Sequence, residues 1–281
     1  TDDSQMTLFT AEGLIRAYVR GSLKGICHPP SVVHHSLLRW YRTQGGMPRA
    51  ETDDVGLIAD RRLWARRAPG LTCLSALGEG RSFGALAKND SKGCGTIMRV
   101  APVALMVPRD QVRSIASETS ALTHGHPTGQ LAAAAWAEML AEVATGKRLE
   151  DTAAKIAAGY ERLENGSETA RAIRKALDAP RDGSPETVET LGGGWTAEEA
   201  LSIALYACIS GKTFDDALKA GLTRLETLAK TDLQLAASRA ARTATRCSAP
   251  VAGPGSGRRA ASGWSRKSRG DIGKRQPSLP A

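Results

Sequence analysis

Residues 196–211 read TAEEALSIALYACISG, and this stretch indicates the fold class. Thr196 followed by Glu199 is the pattern of a capping box, in which two side chains satisfy the first backbone N–H groups of a helix. Leu201, Ala204, Leu205 and Cys208 recur at helical spacing, and Gly211 supplies a stop. The segment therefore predicts an amphipathic α-helix with a defined start and end.

The same periodicity extends over most of the chain up to residue 221. Thr213 followed by Asp216 predicts the start of another helix. Three further apolar stripes are Leu8, Ala11, Ile15 and Tyr18; Val33, Leu37, Leu38 and Tyr41; and Leu131, Ala135, Met139 and Val143. Convincing alternating strand patterns are absent from the sequence, so we predict an all-α fold.

Charge is distributed unevenly along the chain. The sequence carries a net charge of +9, and residues 222–281 hold 12 basic and 3 acidic residues, which accounts for all of it. Residues 1–221 are therefore neutral and form the predicted helical domain. Residues 222–281, rich in Ala, Arg, Ser, Gly and Pro, are predicted to be a disordered, basic, low-complexity tail. Specific nucleic-acid binding is not expected, and a salt-sensitive affinity that depends on the tail would be nonspecific attraction between charges.

Cysteine usage and hydropathy indicate the compartment. The five cysteines are widely separated and include no C-x-x-C pair, which favours a reducing cytoplasm. No apolar run reaches the roughly 18 residues of a membrane span. We expect a cytoplasmic protein that does not contact membranes.

Thr1, Asp2 and Asp3 place a hydroxyl and two carboxylates in succession before a helix. Three hard oxygen donors suit Mg²⁺, Mn²⁺ or Ca²⁺. Asp and Thr at a helix start are also favoured as caps, which is the simpler interpretation. A second Thr-Asp-Asp at residues 52–54 shows that the tripeptide alone has little meaning.

Two loops contain further candidate residues. Residues 91–99, SKGCGTIMR, combine two glycines with small polar neighbours, which predicts either an anion cradle of backbone N–H groups or a tight turn between helices. His124 and His126 flank Gly125 and could serve as metal ligands, proton-transfer groups, ligand donors or structural residues. His34 and His35 are interpreted as the surface and edge of a helix.

No P-loop, Rossmann glycine motif, nucleophile elbow or H-E-x-x-H zinc motif is present. Six other motifs follow one another along the chain: TDDSQMTLFTAEG (1–13), RW (39–40) with TQG (43–45), RAPG (67–70), SKGCGTIMRVAP (91–102), ALTHGH (121–126) and GGWTAEEAL (193–201). In this order they resemble the ADP-ribosylglycohydrolase family, over residues 1 to about 220.

The resemblance implies an all-α domain that binds two Mg²⁺ or Mn²⁺ ions and hydrolyses the glycosidic bond between ADP-ribose and a protein side chain or small molecule. Thr1, Asp2 and Asp3 would be metal ligands, and Asp2 and Asp3 would be catalytic. The implied ligand-binding residues are Gly70, Thr72, Ser91, Lys92, Gly93, Cys94, Gly95 and His124, with His124 near the diphosphate. The expected partner is an ADP-ribosylated protein or small conjugate.

The sequence departs from the family pattern at two places. Relatives carry a segment with an acidic metal ligand before Thr-Asp-Asp, and a Gly-Asp-Ser-Asp-like motif near the position where Gly221 is followed by LTRLETLAK. We interpret these departures as an N-terminal truncation and a frameshift near residue 221. They predict an enzyme with impaired turnover or, alternatively, an ADP-ribose-binding module without hydrolysis.

Overall fold

The structure is a computed structural model that describes residues 1–228, with side chains described up to residue 221. Its described part is all-α, as predicted. The α-helices are α1 (Asp2–Lys24), α2 (Pro29–Thr43), α3 (Leu71–Glu79), α4 (Ala101–Met106), α5 (Val112–Ala121), α6 (Pro127–Val143), α7 (Leu149–Tyr160), α8 (Ser167–Asp178), α9 (Pro185–Leu191), α10 (Ala197–Ser210) and α11 (Phe214–Leu228). Within these residues no strand forms, and one isolated β-bridge pairs Gly93 with Thr196.

Helix α6 lies at the centre of the packing. Ala132, Ala133, Ala134, Ala135 and Trp136 are all fully buried, because neighbouring helices cover every side of it. Helices α4, α5, α7, α8 and α10 pack against α6. A helix that is apolar all round is stable only when enclosed in this way. None of the helices in the described part of the chain is long and apolar enough to cross a bilayer.

Helix α1 packs along α2, and the apolar stripe predicted for α1 lies on the side that faces away from the core. A Cβ placed on Gly13 would lie 2.6 Å from the Cα of Val33, so the two backbones approach closely at this glycine. Met6, Phe9 and Leu14 face the core. The predicted stripe of Leu8, Ala11, Ile15 and Tyr18 was wrong as a buried face, since Leu8, Ile15 and Tyr18 are about half exposed. The polar residues Asp2, Asp3, Gln5 and Thr10 share the inner face with these apolar side chains.

The helix predicted from residues 196–211 is confirmed in detail. Thr196 and Glu199 form the capping box of α10, and Gly211 follows its last residue. Thr213 Oγ1 accepts a hydrogen bond from the N–H of Asp216 at 3.2 Å, so the predicted start of α11 is also present. Helix α11 continues to Leu228 and crosses the predicted boundary between residues 221 and 222. The rest of the predicted disordered tail lies outside the described residues.

His34 corrects another prediction, because it is fully buried rather than on the helix surface. Its Nδ1 accepts a hydrogen bond from the N–H of Gly84 at 2.9 Å. Burial lowers the pKa of His34 to about 4, with smaller contributions from the nearby His35 and Arg99. His34 therefore joins α2 to the loop after α3 as a neutral imidazole.

Candidate active site

The N-terminus of α1 buries the first two aspartates. Asp2 is fully buried and Asp3 is 3% exposed. The Oδ2 atom of Asp2 accepts a hydrogen bond from the N–H of Gly70 at 3.3 Å, and the N–H of Asp2 donates to the carbonyl of Arg67 at 3.3 Å. These two bonds hold the loop of residues 67–70 against the start of α1.

Gln5, one turn into α1, fixes the position of this helix end. Its Nε2 donates to the carbonyl oxygens of Leu63 and Ala65 at 3.2 and 2.9 Å. Its Oε1 accepts from Trp40 Nε1 and Gln44 Nε2, both at 3.2 Å. The motifs RW and TQG are distant from Thr-Asp-Asp in sequence. They nevertheless contact the start of α1 through Gln5 and fix the position of this helix end.

The glycine loop, residues 91–95, lies beside the start of α3. Thr72 Oγ1 and Ser91 Oγ are 3.4 Å apart. On its other side the loop pairs with the segment before α10: the N–H of Cys94 donates to the carbonyl of Trp195 at 3.0 Å, and the N–H of Ala197 donates to the carbonyl of Lys92 at 2.8 Å. The start of α3, the glycine loop and the start of α10 thus form one connected surface.

Several N–H groups of the glycine loop already have protein acceptors. The N–H of Ser91 donates to Asn89 Oδ1 at 3.1 Å, that of Gly93 donates to Ser91 Oγ at 3.3 Å, and that of Cys94 donates to Trp195. The sequence predicted either a cradle of free N–H groups or a tight turn between helices, and these three groups do not supply a cradle. An anion bound here would need other donors.

The two glycines of the loop leave room over the ring of His124. A Cβ added to Gly93 or Gly95 would lie 3.3 Å from His124 Nε2, and one on Gly95 would also lie 3.0 Å from Cys73 Sγ. Neither glycine is among the residues with a positive φ. Glycine is therefore suited to these positions by space, since a side chain would crowd the imidazole.

Burial and a nearby cation keep His124 uncharged. The residue is 1% exposed, and burial, followed by the positive charge of Arg99, lowers the pKa of His124 to about 3. Its Nδ1 is 2.8 Å from Thr123 Oγ1. Arg99 Nη2 in turn donates to Thr123 Oγ1 at 2.9 Å. The neutral imidazole is thus held from behind by a buried threonine and arginine.

Two further predicted residues are engaged structurally. Lys92 Nζ forms ion pairs with Glu168 at 3.2 Å and with Glu198 at 2.7 Å, and hydrogen bonding to Glu198 raises the pKa of Lys92. The Nδ1 of His126 accepts a hydrogen bond from the N–H of Thr128 at 3.1 Å and caps α6. The Lys92 ammonium therefore anchors the glycine loop to α8 and α10.

The donor chemistry at the start of α1 fits a hard divalent cation in part. A threonine hydroxyl and two carboxylates are oxygen donors of the type preferred by Mg²⁺ and Mn²⁺. Across residues 1–221, whose side chains the structure describes, however, no group of three or more Asp, Glu, His or Cys side chains is placed to hold a metal ion. The described residues therefore supply oxygen donors of a suitable type, and they do not complete a two-ion cage.

Sequence reasoning missed two residues that organise the site. The first is Asn89, whose Oδ1 accepts from the N–H groups of Ser91 and Gly125 and whose Nδ2 donates to the carbonyl of Thr123, so that it joins the two candidate loops. An Asn two residues before a turn is a known signal for this arrangement. The second is Arg99, the last residue of the SKGCGTIMR stretch, which is 2% exposed.

Comparisons with known proteins support the resemblance to the ADP-ribosylglycohydrolase family. The ADP-ribosylglycohydrolase family model matches residues 1–247, which extends beyond the predicted domain end at residue 221. A solved structure named "ADP-ribosylglycohydrolase-related protein complex" has a TM-score of 0.59 at 20% identity, covering 88% of this chain and 69% of that chain. It therefore shares the fold. A search of curated proteins returns no significant match.

Proposed function

Because the chain belongs to the ADP-ribosylglycohydrolase family, we propose that it binds an ADP-ribose conjugate between the start of α1 and the glycine loop and acts on its glycosidic bond. The conjugate would be an ADP-ribosylated protein side chain or a small molecule in the cytoplasm. Gly70, Thr72, the glycine loop and His124 would contact ADP-ribose. Thr1, Asp2 and Asp3 would hold Mg²⁺ or Mn²⁺.

The observation that carries this proposal is a continuous path of contacts through segments far apart in sequence. Asp2 bonds to Gly70, Thr72 lies against Ser91, and the loop glycines lie over His124. Carboxylates are therefore grouped at one end of the path and a small, anion-compatible surface at the other. An ADP-ribose conjugate has the matching polarity, with ribose hydroxyls at the bond to be cleaved and a diphosphate farther along.

Each part of the path has a chemical task in this proposal. A divalent ion on Thr1, Asp2 and Asp3 would act as a Lewis acid and lower the pKa of a bound water. The carboxylates of Asp2 and Asp3 would hold that ion and would stabilise the positive charge that develops on the sugar as the bond to C1 breaks. Gly93 and Gly95 admit the diphosphate, and His124 contacts it as a neutral group.

The two ends of the path differ in completeness, and this favours impaired turnover. The described residues supply the two loop glycines and His124 on the phosphate side, but only two carboxylates on the metal side. A partial set of oxygens competes poorly with hydration, above all for Mg²⁺. We therefore expect weak metal binding and slow hydrolysis, and the alternative function is an ADP-ribose-binding module without hydrolysis.

Calorimetry on the full chain with ADP-ribose, with and without Mn²⁺, tests the proposal when paired with an assay for ADP-ribose release from a conjugate. Gly93→Val should weaken ADP-ribose binding at least about tenfold, because its methyl groups would fill the space over His124. Gly159→Val is the matched control, since a Cβ there meets nothing within 4 Å.

The outcomes separate the two functions. Metal-dependent release of ADP-ribose supports the hydrolase, and binding without release supports the binding module. If the wild-type chain fails to bind ADP-ribose, or if Gly93→Val binds as well as Gly159→Val, the assignment of the site is wrong.

A further inference from the structure

Arg99 is a buried cation without a carboxylate partner in the described part of the chain. It is 2% exposed, and its Nη2 donates to the carbonyl of Thr119 and to Thr123 Oγ1, both at 2.9 Å. Its Nε has no hydrogen-bond partner among the described residues. By contrast, the equally buried Arg39 forms ion pairs with Glu12 and Asp53. Burying an unbalanced charge is costly, which points to a role for its field or its hydrogen bonds.

The hydroxyl of Thr123 links Arg99 to His124 through two hydrogen bonds. A guanidinium only donates, so Thr123 Oγ1 accepts from Arg99 and has one proton of its own to give. Two acceptors are near: His124 Nδ1 at 2.8 Å and the carbonyl of Ser120 at 3.4 Å. The shorter distance favours Nδ1, and a cation bound to a hydroxyl oxygen makes its proton a stronger donor. With the Thr123 proton on Nδ1, that nitrogen is an acceptor.

The remaining nitrogen of His124 then carries the ring proton. The lowered pKa of His124 keeps the imidazole neutral, and a neutral imidazole has one donor and one acceptor nitrogen. The donor is Nε2, which would lie 3.3 Å from a Cβ added to either Gly93 or Gly95. The N–H groups of Ser91, Gly93 and Cys94 are already used. The imidazole is thus a donor directed at the space that the glycines leave open.

We propose that Thr123, held by Arg99, is a positioning residue that fixes His124 as the Nε2–H tautomer, so that His124 donates a hydrogen bond to an anionic phosphate oxygen of the ligand over Gly93 and Gly95. The ligand's identity as ADP-ribose rests on the proposed function, whereas the tautomer does not. In this arrangement His124 is a hydrogen-bond donor and does not accept a proton from the reacting groups. The buried charge of Arg99 adds an attractive field for the same oxygen.

Nitrogen NMR of the full chain labelled with ¹⁵N in histidine tests the tautomer directly, because protonated and unprotonated ring nitrogens resonate far apart. Wild-type His124 should show a protonated Nε2 and an unprotonated Nδ1 at pH 7. Thr123→Val, which keeps the shape and loses the hydroxyl, should shift His124 towards the Nδ1–H tautomer. Thr123→Ser should restore the wild-type signals.

Thr119→Val is the matched control. Its hydroxyl is also buried beside Arg99 but donates within its own helix, to the carbonyl of Ile115 at 2.7 Å. This variant should leave the His124 signals and ADP-ribose binding unchanged, whereas Thr123→Val should weaken ADP-ribose binding about tenfold. Wild-type His124 with a protonated Nδ1, or an unchanged tautomer in Thr123→Val, would overturn the proposal. Absence of ADP-ribose binding in the wild type would reject the proposed function and leave the tautomer result standing on its own.

Discussion

The chain contains Thr-Asp-Asp twice, and the two copies lie in opposite environments. At residues 1–3 the aspartates are buried at the start of α1, and Asp2 accepts a hydrogen bond from the N–H of Gly70. At residues 52–54 the aspartates lie in an exposed loop, where the side chains of Asp53 and Asp54 are 44% and 76% exposed. The same three residues therefore have different surroundings and different neighbours.

Ion pairs with arginines hold the second copy, residues 52–54, in place. Asp53 pairs with Arg39 at 3.3 Å and with Arg16 at 3.8 Å, and Asp54 pairs with Arg42 at 2.6 Å. Their charges are used to fasten the loop of residues 51–56 to α1 and α2. The first copy is instead joined to the loops that carry the candidate ligand-binding residues. The role of a Thr-Asp-Asp tripeptide therefore depends on the residues that surround it in the fold.

Removal of Arg39 should have the largest effect on stability, because this side chain is fully buried between Glu12 and Asp53. Breaking a buried ion pair leaves an uncompensated charge, so Arg39→Ala should lower the free energy of unfolding by about 3–5 kcal/mol in urea denaturation. Arg42→Ala, which breaks a pair with an exposed aspartate, should cost less than about 1 kcal/mol. Equal losses in the two variants would contradict the claim that the buried Arg39, paired with Glu12 and Asp53, stabilises the fold more than the exposed pair of Arg42 and Asp54.

Low pH should reduce the free energy of unfolding, because two histidines near Arg99, His34 and His124, are buried as neutral groups. The pKa values of His34 and His124 are lowered to about 4 and about 3 from 6.5. Above pH 6.5 both are neutral whether folded or unfolded; below it the unfolded chain takes up protons that the folded chain does not. Stability is therefore lost as the pH falls from 6.5, by about 2 kcal/mol per histidine at pH 5.

Urea denaturation at pH 7 and pH 5 measures this loss. His34→Gln and His124→Gln should each reduce the difference between the two pH values by about 2 kcal/mol. A wild-type pH dependence that neither substitution changes would show that the two imidazoles are not buried as neutral groups.

The smallest effects are expected from Asp53→Asn and Asp54→Asn. Asp53 is half exposed and its loss leaves Arg39 paired with Glu12, while Asp54 is largely exposed, so each substitution should cost less than about 1 kcal/mol of stability. Neither should alter the binding of ADP-ribose measured by calorimetry. If either substitution weakens that binding, the distinction between the two copies fails.

The sequence predicted helices better than the faces they bury. The capping box of Thr196 and Glu199 is a local signal and was confirmed. For α1 the apolar stripe pointed outward, because the inner face carries Asp2, Asp3 and Gln5 to build the site. Periodicity assumes that polar residues face solvent, and a helix whose inner face supports a functional site violates that assumption.

The candidate site was predictable as a set of motifs but not as an arrangement. The glycine loop and His124 were both singled out, and they do lie together. The role of Arg99 could not be predicted, since nothing local distinguishes a buried arginine from an exposed one. The occupation of the loop N–H groups by Asn89, Ser91 and Trp195 also depends on tertiary contacts. The assignment of metal ligands and the basic tail remain predictions.

Titration of the ¹⁵N-labelled full chain with Mn²⁺ compares the two Thr-Asp-Asp copies within one sample. Each copy has a matched reporter amide: the N–H of Gly70 is 3.3 Å from Asp2 Oδ2, and the N–H of Val55 is 3.3 Å from Asp53 Oδ1. Paramagnetic broadening detects even weak binding at such distances. We predict that the Gly70 amide signal broadens at Mn²⁺ concentrations that leave the Val55 signal unchanged. Earlier or equal broadening of Val55 would contradict the claim that only the first copy belongs to the metal site.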